Sequence, residues 1–131
     1  MYKLKKTFKI CCSHRLHDVT ISDEENKKVF GRCNNLPSHG HNYNITLYLK
    51  SDVLKNGMIM NFTEIKRIFN DDIDNRFDHK FLNDDILFKN IVASAENMAR
   101  IFFNILKRKI SQLYKLECEE TEGASALWCE E

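Results

Sequence analysis

Apolar and polar side chains alternate from His39 to Lys50: His39, His41, Tyr43, Ile45, Leu47 and Leu49 take the odd positions, Asn42, Asn44, Thr46, Tyr48 and Lys50 the even ones. A period of two predicts a β-strand with one face buried. Thr7–Cys12 reads as an earlier strand, separated from the first by a polar loop, Asp18–Lys28, whose charged run Asp23-Glu24-Glu25-Asn26-Lys27-Lys28 reads as a solvated loop or short helical turn. After the reversal signalled by Asn56-Gly57 the period changes. Thr63 is a candidate N-cap, and Ile65, Ile68, Phe69 and Ile73 recur at helical spacing to about Asn75. A loop over Arg76–Asn90 leads to Ser94, which caps a second helix with the stripe Met98, Ile101, Phe102, Ile105, Leu106 and Ile110. Two strands, Tyr114–Glu120 and Ala124–Cys129, close the chain around Glu122-Gly123. The expected order is β-β-α-α-β-β, an α+β fold without internal repeats.

Composition narrows the function. The 131 residues fit one domain, 1–131. Twenty basic against nineteen acidic residues leave a formal charge of +1, which points away from nucleic acid and from anionic membrane surfaces. No apolar run approaches the roughly 20 residues of a spanning helix. The segment Met1-Tyr2-Lys3-Leu4-Lys5-Lys6 lacks the apolar centre of a signal peptide. Five cysteines, an odd number, suggest free thiols in a reducing, cytoplasmic setting.

The chemistry concentrates in Cys33-Asn34-Asn35-Leu36-Pro37-Ser38-His39-Gly40-His41. His39 and His41 share a strand face and can grip one metal ion, with Gly40 between them permitting close backbone approach. A third ligand is offered by Ser13-His14-Arg15-Leu16-His17, where His14 and His17 compete. Three histidines make a zinc site with an open position, the catalytic pattern. A closed site from Cys11, Cys12, Cys33 and a histidine is less favoured, since adjacent strand residues point to opposite faces. Near the C-terminus Tyr114, Leu116, Cys118 and Glu120 fall on one face and Lys115, Glu117 and Glu119 on the other. Glu120 is then either a strand end where alternation has failed or a carboxylate aimed at a ligand's paired N–H groups.

Six segments occur together in one order: His14 in Ser-His-Arg-Leu, Cys33-Asn34-Asn35 before His39-Gly40-His41-Asn42-Tyr43, Gly57-Met58-Ile59-Met60, Asp78-His79-Lys80, Glu96-Asn97 and Glu120-Thr121. In that order and spacing the chain resembles the 6-pyruvoyltetrahydropterin synthase family from Lys9 to its C-terminus. The match is closer to the biopterin-pathway branch than to 6-carboxytetrahydropterin synthases, whose cysteine stands nearer the His-Gly-His. The resemblance implies a tunnelling fold (T-fold): a four-stranded antiparallel sheet with two helices on one face, closed into a barrel by trimerisation, with two trimers stacked as a hexamer. It also implies conversion of 7,8-dihydroneopterin triphosphate to 6-pyruvoyltetrahydropterin and triphosphate.

By position, the resemblance makes His14, His39 and His41 the Zn2+ ligands, Cys33 the general base, and Asp78 and His79 its proton-relay partners, not hydrogen-bonded to each other on a strand. It makes Glu120 the pterin anchor with Thr121 beside it, and sets Ser94 and Glu96 at the pocket border, where N-cap and first-turn roles serve equally. Arg15 and Lys80 are candidates for triphosphate contact. Cys11, Cys12, Ala93 and Glu122-Gly123 depart from the family's usual residues. No glutamate precedes His39, unlike protozoan relatives that cleave the side chain for folate synthesis. The alternatives are a 6-carboxytetrahydropterin synthase, a protozoan-type synthase, and a zinc-stabilised pterin-binding protein without activity.

Overall fold

Four antiparallel strands carry the molecule, in the spatial order β1-β2-β3-β4, as described by a computed structural model of residues 1–130. β1 spans Tyr2–His14, β2 His39–Ser51, β3 Leu113–Thr121 and β4 Ala124–Cys129. β1 and β2 pair without interruption from Tyr2↔Ser51 to His14↔His39. β1 therefore begins five residues earlier than alternation indicated. Its lysine-rich start, Lys3, Lys5 and Lys6, hides a strand whose hydrogen bonds β2 supplies. The apolar face of β2 is the expected one: Tyr43, Ile45, Leu47 and Leu49 are buried.

Helices cover that face. α1 (Asp23–Phe30) lies where a solvated loop or helical turn was expected. It has no apolar stripe to advertise it. Ser22 caps it by accepting from the Glu25 N–H, acidic residues occupy its first turn and lysines its last, and the buried Asn26 amide donates to the Asp18 and Ser22 carbonyls. α2 (Phe62–Phe69) is capped by Asn61 rather than Thr63, and Ile65, Ile68 and Phe69 are buried as expected. It continues through a π-helical turn, Asn70–Asp74, into the short α3 (Asn75–Phe77). α4 (Ala95–Lys107) begins at Ser94, whose hydroxyl accepts from the Asn97 N–H, and buries Met98, Ile101, Phe102 and Leu106. Ile110 is buried too, but beyond the helix end.

Phe8 of β1 stacks on Phe69 of α2 at 4.1 Å between centroids, and Phe77 packs against Phe102 at 4.9 Å. The stretch expected as loop, Arg76–Asn90, contains α3's end and 3-10 turns at Leu82–Asp84 and Ile86–Phe88, pinned by buried Leu82 and Phe88. Asn56 and Gly57 both adopt left-handed backbone (φ 53° and 74°), and Lys55 and Met58 exchange two backbone hydrogen bonds across them. Ser94→Ala is expected to lower stability by about 1 kcal/mol, the usual cost of a lost N-cap, measured by chemical denaturation.

A bulge alters β3. Tyr48 pairs with Lys115 but Leu49 pairs with Leu113, so Tyr114 is displaced. Leu113 takes the core position that alternation assigned to Tyr114. The Tyr114 ring turns to the other face, facing Tyr48, with Lys50 and Lys115 over it. That second face is polar: Thr7 and Thr46 hydroxyls meet at 2.8 Å, the Tyr48 hydroxyl donates to Glu117, and the Asn44 amide donates to Glu119. No helix among the described residues is long and apolar enough to cross a membrane.

Candidate active site

The register of β1 with β2 sets His14 opposite His39, on the core-side parity of each strand. β3 adds Glu120, on the parity of Leu116 and Cys118. The side-chain ligand atoms of His14, His39, His41 and Glu120 all lie within 4.8 Å of one another. His14 Nε2 stands 2.9 Å from His39 Nε2 and 3.2 Å from Glu120 Oε1, and His41 Nε2 stands 2.9 Å from the same oxygen. His17 lies apart, its Nδ1 accepting from the Asn34 amide at 3.0 Å. Of the two candidates left open in the sequence, His14 and not His17 stands beside the pair.

His14 is fully buried, and its Nδ1 contacts the Ala93 carbonyl at 2.7 Å. A carbonyl can only accept, so Nδ1 carries the proton and Nε2 presents its lone pair to the cluster. That arrangement fixes the tautomer of a metal-binding imidazole. The Tyr43 hydroxyl lies 3.2 Å from the same Nδ1. Burial lowers the His14 pKa, opposed by the Ala93 hydrogen bond and by Glu120; burial likewise lowers that of His41, again against Glu120. Both imidazoles are thus biased to the neutral form a metal requires. His41 Nε2 is buried and makes no hydrogen bond, although Glu120 Oε1 stands 2.9 Å away. The four donor atoms are close enough together to surround one metal ion. Gly40 needs its backbone freedom less than expected: an added Cβ would meet the Cys12 carbonyl at 3.5 Å, an ordinary contact.

Glu120 also borders a cavity of about 300 Å³, lined by Ala95, Glu96 and Ala124–Leu127. Glu96, in the first turn of α4, therefore shares this cavity with Glu120. Ser94 is engaged as the N-cap. Thr121 is exposed at the end of β3.

Cys33 occupies a 3-10 turn, Gly31–Asn34, and is half-buried; its carbonyl accepts from the Leu16 N–H at 2.9 Å. All five cysteines are free thiols. Burial raises the thiol pKa of Cys12 to about 12, and raises that of Cys118 as well. Asp78 and His79 do hydrogen-bond each other, at 2.7 Å, against expectation. They are not on a strand: Asp78 ends α3, and His79 adopts φ 59°, which folds its ring back onto the carboxylate. The pair sits on the outer edge of β1, where the Cys11 N–H donates to Asp78 at 2.9 Å. No hydrogen bond among the described residues joins it to Cys33. Burial works against the Asp78 carboxylate, but the Cys11 N–H and His79 outweigh it and hold the pKa below the ordinary value of 3.8. A depressed carboxyl pKa stabilises the fold above the unfolded value, and this contribution disappears as pH falls through the folded one. Asp78→Asn should therefore cost stability at neutral pH and narrow its gap from the parent below pH 3.8, as read by thermal unfolding across pH.

Alternation set His39, His41 and Glu120 on apolar-face parity, which Tyr43 shares, whereas His14 lay beyond the expected end of its strand. The Ala93 carbonyl left no sequence signal, because any residue supplies one. Nor did spacing show that Glu120 reaches the histidines, which requires the β2–β3 register.

An antiparallel sheet with helices on one face, and a histidine-carboxylate cluster at one end of its core, defines a small α+β enzyme domain with a candidate metal site. The chain belongs to the 6-pyruvoyl tetrahydropterin synthase family, whose pattern it matches over residues 3–131. It is 36% identical over 122 residues to the 6-pyruvoyl tetrahydrobiopterin synthase of Drosophila melanogaster, covering 89% of this chain and 71% of that one. The Dictyostelium discoideum enzyme of the same name is 40% identical over 114 residues, covering 85% and 83%. The structure of Caenorhabditis elegans 6-pyruvoyl tetrahydropterin synthase superposes with a TM-score of 0.91 at 32% identity, covering 99% of this chain and 96% of that one.

Proposed function

We propose that this chain converts 7,8-dihydroneopterin triphosphate to 6-pyruvoyltetrahydropterin, releasing triphosphate, with Zn2+ held by His14, His39 and His41. The observation that carries this reading is the convergence of three imidazoles and Glu120 beside a cavity that also contains Glu96. Zinc bound there would acidify the substrate's side-chain hydroxyls and balance the negative charge that develops on their oxygens. Glu120, between the imidazoles and the cavity, anchors the pterin ring through its N–H edge, with Glu96 and Thr121 bordering the ring. Cys33 takes a proton from a side-chain carbon, and the Asp78–His79 pair returns protons during rearrangement. Triphosphate departs with the C–O bonding electrons, and no external oxidant or reductant is needed.

The same reading includes a homohexamer, a dimer of trimers formed around residues 1–131 as one domain. β1 and β4 are the sheet's two edges, and joining the edges of three copies closes a barrel. Ser13 of β1 is already bridged to Phe81, which leaves the earlier part of that edge for a neighbour. Beside that part lies an apolar cavity of about 390 Å³, with Leu4, Leu54, Met58, Met60 and Phe62 in its walls. The His79 side chain is 77% exposed at the same edge, so in this assembly it would be free to meet a neighbouring copy. A fully active monomer in analytical ultracentrifugation would contradict this assembly.

The decisive experiment incubates purified protein with dihydroneopterin triphosphate and zinc and identifies the pterin formed. 6-Pyruvoyltetrahydropterin is expected. Release of acetaldehyde with 6-carboxytetrahydropterin would reassign the reaction, and pterin binding without product would leave a binding protein. Glu120→Gln should chiefly raise KM, since a ring anchor holds ground and transition states alike; steady-state kinetics would read this directly.

A further inference from the structure

Asn34 is buried to 3% exposure, yet its side chain belongs neither to the histidine cluster nor to the cavity beside Glu120. Burying an amide is costly unless its hydrogen bonds are made, and here they go to one short stretch of chain. The Asn34 Nδ2 group donates to the Leu16 carbonyl at 2.7 Å and lies 3.0 Å from His17 Nδ1. Its backbone carbonyl accepts from Arg15 Nε at 2.8 Å. One residue back, the Cys33 carbonyl accepts from the Leu16 N–H. The turn carrying Cys33 is therefore tied at four points to residues 15–17, directly after His14.

The other side of this stretch is held just as specifically. The Asn83 side chain accepts from the Arg15 N–H at 3.0 Å and donates to the Arg15 carbonyl at 2.8 Å, reading both backbone groups of one residue. Asn83 follows the segment in which Ser13 donates to the Lys80 carbonyl and pairs with Phe81. That segment begins with Asp78 and His79. A chain of polar contacts, Asn34 to Arg15 to Asn83, thus runs from the thiol's turn to the segment bearing the carboxylate–imidazole pair, past a histidine of the cluster.

We propose that Arg15, Asn34 and Asn83 are positioning residues that brace the Cys33 turn against the end of β1 and so set where the thiol stands relative to the histidines. Their purpose depends on the proposed role of Cys33 as base, whereas the brace itself does not. A base displaced by about 1 Å can lose on the order of 100-fold in rate while substrate binding is retained. Arg15 acts through the geometry of its Nε–H fork rather than through charge, which lysine cannot reproduce.

The test compares Asn34→Ala, Arg15→Lys and Asn83→Ala with the parent protein. Each variant should lose roughly 10- to 100-fold in kcat with KM little changed and zinc content near that of the parent; Asn34→Ala should also lower the thermal midpoint, because the Leu16 carbonyl loses its buried donor. The alkylation rate of Cys33 by iodoacetamide, followed on its own peptide by mass spectrometry, should shift in each, while that of Cys129 should not. Asn34→Asp, which keeps the acceptor but loses the Nδ2 donor, should resemble Asn34→Ala. Full kcat in Arg15→Lys would overturn the geometric role and assign Arg15 a purely electrostatic one. Unchanged kcat and Cys33 alkylation in Asn34→Ala would overturn the brace, as would a loss of kcat with alkylation unaltered. Should Asn34→Ala fail to fold, the charge-preserving Arg15→Lys carries the comparison. If the parent makes no pterin product, the alkylation rates still report on the brace, so the two failures remain distinct.

Discussion

Alanine at His39 or His41 is expected to strip zinc from the protein and abolish turnover, with the assembly intact. Both side chains lie toward the open end of the cluster and contribute little to the core, whereas the strand that carries them is held by β1 and β3. Catalytic zinc occupies a pocket the fold provides and is not what makes the chain fold. His14→Ala should also abolish binding, but with a stability loss: it leaves the Ala93 carbonyl and the Tyr43 hydroxyl without their imidazole partner. An unsatisfied buried group typically costs about 1–3 kcal/mol. His17→Ala should retain the metal, because that ring is engaged with Asn34. Metal analysis of the four purified variants, beside their sedimentation profiles, checks these outcomes. Loss of zinc in His17→Ala with retention in His14→Ala would invert the ligand assignment.

Cys33→Ala is expected to depress kcat by roughly 10²–10⁴-fold with substrate binding nearly unchanged, the usual worth of a positioned base. The other thiols differ in ways that predict a much weaker effect. Cys12 and Cys118 are buried, and burial keeps both in the neutral thiol form. Cys129 is exposed at the end of β4. Cys11 holds Asp78 through its backbone N–H, which alanine preserves. Alanine at each of these four should leave kcat within a few-fold. Single-turnover kinetics separates proton abstraction from product release and so isolates the contribution of Cys33. Should another thiol prove essential while Cys33→Ala stays fully active, the base must be reassigned.

Elements with a strong apolar period were legible in the chain, and those held by other forces were not. β2 and α4 announce themselves because burial of Ile45, Leu47 and Leu49, or of Met98, Ile101, Phe102 and Leu106, selects apolar residues at a fixed spacing. α1 is held by a cap, by charge placement at its ends and by one buried asparagine, none of which produces a period. The first half of β1 carries Lys3 and Lys5 on the face opposite Ile10 and Cys12, and its strand character comes from pairing with β2. The bulge at Tyr48/Leu49 exchanges Leu113 for Tyr114 in the core, a shift that local alternation cannot register.

The sequence by itself determined the order of strands and principal helices, the parity that turns His39 and His41 inward, the parity that Glu120 shares with Leu116 and Cys118, and the family resemblance. Those are local properties: they depend on which side chains recur at which interval along one stretch of backbone. Tertiary structure alone sets His14 rather than His17 beside His39 and His41, through the pairing of β1 with β2 and the Asn34 amide that takes up His17. It brought Glu120 within 3.2 Å of two imidazoles and turned Asp78 and His79 onto each other through a left-handed residue. It also tied Cys33 to the end of β1. Each of these contacts joins residues through strand register, turn conformation or a carbonyl acceptor that every residue possesses. Such partners leave no pattern of residue types in the chain, and their geometry exists only once the sheet has formed.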